Sequence, residues 1–112
     1  MDLEAAEGRL LAILDPYRGR LVPGSVYGLQ TIGRPGSGAH AFFAGVRRAD
    51  RHVAFHLMPV YRHPELLDGC SPALRRRLKG RTTFRLTVVD EALFADLEAL
   101  VARSFEAYVA AT

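Results

Sequence analysis

Three of the four histidines of the chain lie within twelve residues, in the stretch HVAFHLMPVYRH from His52 to His63. Imidazoles bind metals and exchange protons near neutral pH, so this density raises the question of a metal or acid-base site. The stretch begins with β-branched and aromatic residues, which predicts a strand from His52 to Met58. On a strand, His52 and His56 would lie about 13 Å apart, too far for one ion. Because no HExxH pattern occurs either, the sequence predicts no metal site here.

Alternation along this strand predicts two different faces. The core face would carry Val53, Phe55 and Leu57, and the other face His52, Ala54, His56 and Met58. In the structural interpretation, the imidazoles simply occupy a partly open sheet face. In the functional interpretation, His56 lines a shallow polar pocket with Tyr61, Arg62 and His63, near Cys70. Such a pocket would bind an anion or transfer protons near pH 7.

A second candidate is the basic segment SPALRRRLKG, residues 71–80. Ser71 as N-cap, Pro72 at the first helical position and Gly80 after the end predict a short helix. The run from residue 71 to 85 contains no acid and six cations: Arg75, Arg76, Arg77, Lys79, Arg81 and Arg85. These cations predict either a solvated helix face or a site for carboxylate or phosphate groups. Aromatic residues that would stack on bases are not interleaved with them, which disfavours nucleic acid as the partner.

The remaining reactive groups form no recognised catalytic pattern. The glycine-rich loop GRPGSG, Gly33 to Gly38, joins two predicted strands, whereas phosphate-binding fingerprints lead from a strand into a helix. Cys70 has no neighbouring base in the sequence, and no serine lies in a GxSxG pattern. We therefore expect a binding protein rather than an enzyme, and no pattern indicates a cofactor.

Composition predicts a single globular domain spanning residues 1–112, with 49% hydrophobic and 24% charged residues. No run of about 18 apolar residues occurs, so no membrane-spanning segment is predicted. Asp2 and Glu4 precede the first apolar stretch, unlike the basic start of a secretory signal, and Cys70 is the only cysteine. Both features predict a cytoplasmic protein. The net charge of +3 is unevenly placed, because acids dominate after Asp90, and this asymmetry bears on partners rather than on the fold.

Periodicity places these candidates on an α+β fold with the order α-β-β-β-α-β-α, a mostly antiparallel sheet with helices packed on one side. The predicted helices are Leu3 to Asp15, residues 71–80 and a long last helix capped by Asp90. The predicted strands are Val26 to Ile32, Ala41 to Arg47, His52 to Met58 and Thr82 to Val88, and YRGRLVPG is predicted to be a linker. The last helix is so apolar that we expect Phe105 or Tyr108 to form the contact of a homodimer, if one exists.

The segment from Phe55 through HLMPVY to Leu67, followed by SPALRRRLKGRTTFRL and the amphipathic last helix, resembles the YdhG-like family of small bacterial domains of unknown function. The resemblance covers most of the chain and implies a compact α+β fold. Some members are described as frataxin-like iron chaperones, so it also implies an alternative function in iron binding. Frataxin-type proteins bind iron weakly through an acidic ridge on the first helix. The acids available there in this sequence are Asp2, Glu4, Glu7 and Asp15.

The leading hypothesis is that the open sheet face, the loop after the third strand and the basic helix together bind a small anionic ligand or an acidic protein partner. The residues expected to contact this partner are His56, Tyr61, Arg62, His63, Arg75, Arg76 and Lys79. The alternatives are the iron chaperone and weak nucleic-acid binding through the basic helix.

Overall fold

The computed structural model describes residues 2–26, 28–35 and 41–110. Its helices are α1 (Leu3–Leu14), α2 (Pro59–Arg62), α3 (Pro72–Arg75) and α4 (Glu91–Ala110). Its strands are β1 (Val22–Val26), β2 (Leu29–Gly33), β3 (Phe42–Arg48), β4 (Val53–Leu57), β5 (Leu78–Lys79) and β6 (Thr83–Leu86). Short 3₁₀ segments follow α1 (Asp15–Tyr17) and α2 (Pro64–Gly69). The predicted α+β class is confirmed.

The strands form one sheet in the order β1-β2-β3-β4-β6-β5, and every neighbouring pair is antiparallel. Both edges of this sheet are poor templates for pairing with another chain. One edge, β1, contains Pro23, which has no N–H to donate, and the other, β5, is two residues long.

The two long helices pack on one face of the sheet, where alternation along β4 places Val53, Phe55 and Leu57 in the core as predicted. Phe105 of α4 is buried in the same core, with its ring centroid 4.7 Å from that of Tyr17. Since this side chain is only 3% exposed, it is not available for the predicted dimer contact.

Helix capping follows the sequence at two of the predicted positions. The Asp90 carboxylate accepts a hydrogen bond from the Leu93 N–H at the start of α4, and the Ser71 hydroxyl accepts one from the Leu74 N–H in α3. The prediction that the helix continues to Gly80 is wrong. Helix α3 is a single turn, and Gly80, at φ +73°, lies in the turn that joins β5 to β6.

The predicted first strand, Val26 to Ile32, is also wrong, because the chain reverses within it. The strands β1 and β2 form a hairpin whose turn contains Gly28 at φ +80°, a conformation that a continuous strand does not have. The last three residues of the predicted linker, 22–24, are therefore part of the sheet. The observed order is α-β-β-β-β-α-α-β-β-α rather than α-β-β-β-α-β-α.

Two predictions are only partly covered by the structure. The second half of the glycine-rich loop, residues 36–38, lies outside the described residues, which resume at Ala41. In the described part of the chain, no helix has both the length and the apolar character needed to span a membrane. The cytoplasmic location stays a prediction.

Candidate functional site

A row of residues across three strands places two arginines on the sheet face opposite α1 and α4. Ala54 in the middle of β4 pairs with Arg47 on β3 and with Arg85 on β6. Directly paired residues point to the same side of a sheet, and Ala54 alternates with the core residues of β4. Both arginine side chains are exposed, so they present their charge to solvent.

The adjacent row on this face contains His56 and Lys79. His56 pairs with Gly45 on one side and Thr83 on the other, and Thr83 pairs with Lys79 at the edge of the sheet. The His56 Nδ1 lies 3.0 Å from the Thr83 hydroxyl oxygen, and this hydrogen bond holds the imidazole in place.

We call the surface formed by Arg47, His52, His56, Lys79 and Arg85 the basic face. Ala54 lies near its centre. His52 and His56 lie about 6.6 Å away in either direction along the strand, and the two arginines about 5 Å away in either direction across it. Ala54 is 3% exposed and has the smallest side chain of the group, so it forms a floor between four longer polar side chains.

The arginines of the basic face affect the protonation of its two histidines. Burial and the positive charge of Arg47 lower the pKa of His56, and burial, Arg85 and Arg47 lower the pKa of His52. Both shifts favour the neutral imidazole at pH 7. The charged groups that act on the two histidines are all cations, which is the signature of a positive local potential.

The charge of the basic face is not compensated by acids. The six strands contain no Asp or Glu. Across residues 2–26, 28–35 and 41–110, neither Arg47, Lys79 nor Arg85 takes part in an ion pair. On the helical side, by contrast, Arg9 pairs with a carboxylate oxygen of Glu91 at 2.6 Å.

The hydrogen bond described for His56 is with Thr83 on β6, so a pocket that joins His56 to the loop after β4 stays a prediction. In the described part of the chain, no hydrogen bond or ion pair joins His56 to Tyr61, Arg62 or His63. Tyr61 is 55% exposed and the Arg81 guanidinium lies 5.4 Å from its ring centroid. The His63 Nδ1 lies 3.4 Å from a carboxylate oxygen of Glu65, and Arg62 is exposed.

The predicted arginines of the basic segment point elsewhere. Arg75 and Arg76 are exposed, and Arg76 lines a cavity of about 270 Å³ at the start of α4, together with Arg77, Ala73, Asp90 and Leu93. The carboxylate of Asp90 in the wall of this cavity opposes the binding of an anion there. Of the seven predicted contact residues, the structure thus brings His56 and Lys79 together on one surface.

The surroundings of Cys70 indicate a structural role and not a catalytic one. Its Sγ is 3.7 Å from the Arg103 guanidinium, which also donates a hydrogen bond to the Leu66 carbonyl. Burial and the negative charge of Asp96 raise the pKa of the Cys70 thiol, so it is protonated at neutral pH and is not an activated nucleophile.

The structure offers no support for an iron site among the residues it describes. It contains no group of three or more histidine, cysteine, aspartate or glutamate side chains that could hold a metal ion. On α1, a carboxylate oxygen of Glu7 lies 3.8 Å from the Arg48 guanidinium, so one of the acids expected to bind iron already has a cation beside it.

Arg47, His52 and Arg85 are members of the basic face that are not among the contact residues predicted from the sequence. The sequence contains part of the information needed to place Arg47. The short RADR connection indicates a hairpin of β3 and β4, and the alternation of side chains in this hairpin puts Arg47 opposite Ala54. Arg85 could not be placed in the same way, because β6 begins 26 residues after β4 ends, and local sequence does not determine the register across that distance.

No protein-family model, no curated protein and no solved structure matches this chain. Membership of the YdhG-like family therefore stays a prediction.

Proposed function

We propose that the protein is a non-enzymatic binding module that holds an anionic partner on the basic face. The observation that supports this proposal is the set of three cations, Arg47, Lys79 and Arg85, that share a solvent-facing sheet surface without an acid. Guanidinium groups bind carboxylate and phosphate through paired hydrogen bonds, so a small anionic ligand or an acidic protein partner fits this surface.

Nucleic acid fits the surface less well. Binding to single strands relies on aromatic side chains on which bases stack. Tyr61 is the exposed aromatic residue in the described part of the chain, and the Arg81 guanidinium already covers its ring. The chemistry of the site also supports binding rather than catalysis, because two neutral imidazoles and a buried thiol provide no activated nucleophile.

The proposal is tested by measuring the affinity of the protein for a panel of anions by isothermal titration calorimetry at low salt. The panel comprises inorganic phosphate, citrate and a hexaglutamate peptide. We expect at least one of them to bind, and Arg85→Gln to weaken that binding about tenfold or more, because a hydrogen bond to a charged group contributes roughly 1.5–3 kcal/mol.

Arg18→Gln is the matched control. It removes the same charge from an exposed arginine that lies after α1 and pairs with Asp15, away from the basic face. We expect it to change affinity less than about twofold, as screened long-range attraction alone would do. The proposal fails if no anion binds, or if both variants weaken binding equally, since equal loss would indicate attraction by net charge alone.

A further inference from the structure

Four of the five polar groups of the basic face, all except Lys79, lie around one point instead of following a line. Arg47 and Arg85 occupy the positions paired with Ala54 on the two neighbouring strands. His56 lies two residues after Ala54 in β4, and His52 lies two residues before it, just ahead of the strand. A surface that follows a polymer would present its cations in a row along the path of that polymer. Four groups around a small floor fit one compact anion.

The geometry of the two arginines favours a phosphate group over a single carboxylate. Their Cα atoms lie about 10 Å apart, two strand spacings, so both guanidinium groups can reach a ligand above Ala54. One carboxylate has two oxygens, and a single guanidinium fork satisfies both of them. A phosphate monoester has three terminal oxygens and a charge of about −1.5 to −2 at pH 7, so it can engage two forks at once.

Arg47 is free to take part in this arrangement. Its Cδ lies 4.0 Å from the position that a Cβ would have on Gly28, so the side chain extends over the turn of the β1–β2 hairpin. Because the side chain is exposed and has no ion pair among the described residues, no ion pair has to break when it turns toward Ala54.

His52 and His56 add hydrogen-bond donors whose protonation would change when an anion binds. The neighbours that face them are Arg47 on β3, and Arg85 and Thr83 on β6, and none is an acid. A doubly charged anion placed between the imidazoles would reverse the local potential and favour their protonation. Binding would then take up protons.

We infer that the site around Ala54 binds the phosphate group of a small phosphate monoester, held between Arg47 and Arg85. This inference rests on the proposed function and specifies the ligand class. Citrate and acidic peptides share only part of this chemistry, since each of their carboxylates has one charge and two oxygens on its carbon.

The experiment compares phenyl phosphate with citrate, hexaglutamate and a single-stranded oligonucleotide, using wild type and Ala54→Val. Valine fills the floor of the site, keeps every charge and is favoured in strands. We expect Ala54→Val to weaken phenyl phosphate binding about tenfold or more, because both arginine forks lose access to one centre. Hexaglutamate, which can engage each arginine separately, should lose less than about threefold.

Ala41→Val is the matched control, because Ala41 is exposed and lies just before β3, six residues from Arg47. Circular dichroism and thermal unfolding establish that each variant is folded. If Ala54→Val does not fold, Arg85→Gln takes its place, with a loss of phenyl phosphate binding of about tenfold as the expected result. In the wild type, proton NMR should show the His52 and His56 ring signals moving toward imidazolium positions on addition of phenyl phosphate, with His63 unchanged.

The outcomes separate this inference from the proposal on which it rests. If citrate, hexaglutamate or a single-stranded oligonucleotide binds more tightly than phenyl phosphate, the ligand class is wrong while anion binding stands. If phenyl phosphate binds and Ala54→Val leaves its affinity unchanged, the location is wrong. If no anion binds at low salt, both the inference and the proposed function are wrong.

Discussion

Gly45 lies in the middle of β3, and replacing it with alanine should destabilise the fold. A Cβ at this position would lie 2.8 Å from the Cγ and 2.9 Å from the Cδ2 of Leu29, and 3.1 Å from the Cγ2 of Thr31. The Leu29 and Thr31 side chains are each only 6% exposed, so neither has free space into which it can withdraw. Because the nearest atom is the branch carbon of leucine, the whole side chain has to move.

The expected cost follows from two opposing effects. Overpacking of a buried position costs about 1–3 kcal/mol. Alanine is favoured over glycine in a strand by roughly 0.5–1 kcal/mol, because the unfolded glycine has more conformational freedom to lose. Because two of the contacts at Gly45 are shorter than 3.0 Å, overpacking should cost about 2–3 kcal/mol there, and the net destabilisation of Gly45→Ala should be about 1–2.5 kcal/mol.

Urea unfolding at equilibrium measures this difference as a lower midpoint with an unchanged slope. Gly8→Ala in α1 is the matched control, because a Cβ there has no atom within 4 Å and should stabilise the helix by about 0.5–1 kcal/mol. Replacing glycine with alanine should thus lower the stability at Gly45 and raise it at Gly8. In a double-mutant cycle, Leu29→Ala and Gly45→Ala together should cost less than the sum of the two single changes, as expected for two side chains in contact. A Gly45→Ala protein as stable as wild type would refute the reasoning, since it would mean that Leu29 moves aside freely.

Three further predictions concern the cap of α4, the hydrogen bonds of Tyr108 and the imidazole of His56. Asp90→Ala should lower the free energy of unfolding by about 1 kcal/mol in urea titrations, because the first turn of α4 loses its cap, and Asp90→Asn should retain most of that stability. Tyr108→Phe should cost about 1 kcal/mol, because its hydroxyl donates to the Ala41 carbonyl and accepts from the Arg34 N–H; an unchanged midpoint would contradict this. The pKa of His56 is lowered on folding from 6.5, so the unfolded chain binds more protons and stability should fall as pH drops through 6.5. His56→Gln should make the urea midpoint less dependent on pH between 7.5 and 5.5, and an equal dependence would contradict the assignment.

The elements that the sequence predicts correctly are those whose local sequence features all indicate the same structure. The faces of β4 followed from alternation, and the starts of α3 and α4 followed from Ser71 and Asp90. Gly80 was misread because a glycine with positive φ suits both a helix end and a hairpin turn. The deciding factor is the pairing of Leu78 with Phe84, a contact that local sequence does not specify.

The first hairpin was missed for a related reason. Pro23 and Gly24 are typical of turns, so the segment was predicted to be a linker. At the edge of a sheet, however, a proline is tolerated because one side of the strand needs no hydrogen bonds. Edge position is a property of the whole fold, and so the sequence alone could not distinguish an edge strand from a loop.

The candidate site could be predicted only in part. His56 was recognised from its own strand, and Lys79 from the charge of its segment. The cluster around Ala54 depends on the pairing of β4 with both β3 and β6, and its second partner comes from a distant part of the chain. The sequence therefore predicts neighbours of His56 in the following loop, whereas Tyr61 and His63 interact with Arg81 and Glu65.

The segregation of charge between the two layers also has a kinetic consequence. The strands carry no acid, whereas α4 alone carries Glu91, Asp96, Glu98 and Glu106. Such a molecule has a dipole moment directed from its helices to its sheet, so the field of a negatively charged target exerts a torque on it before contact. Encounters would then begin with the sheet already turned toward the target, which raises the association rate above that of an evenly charged protein of the same net charge. This advantage should disappear once the Debye length becomes shorter than the distance between the layers.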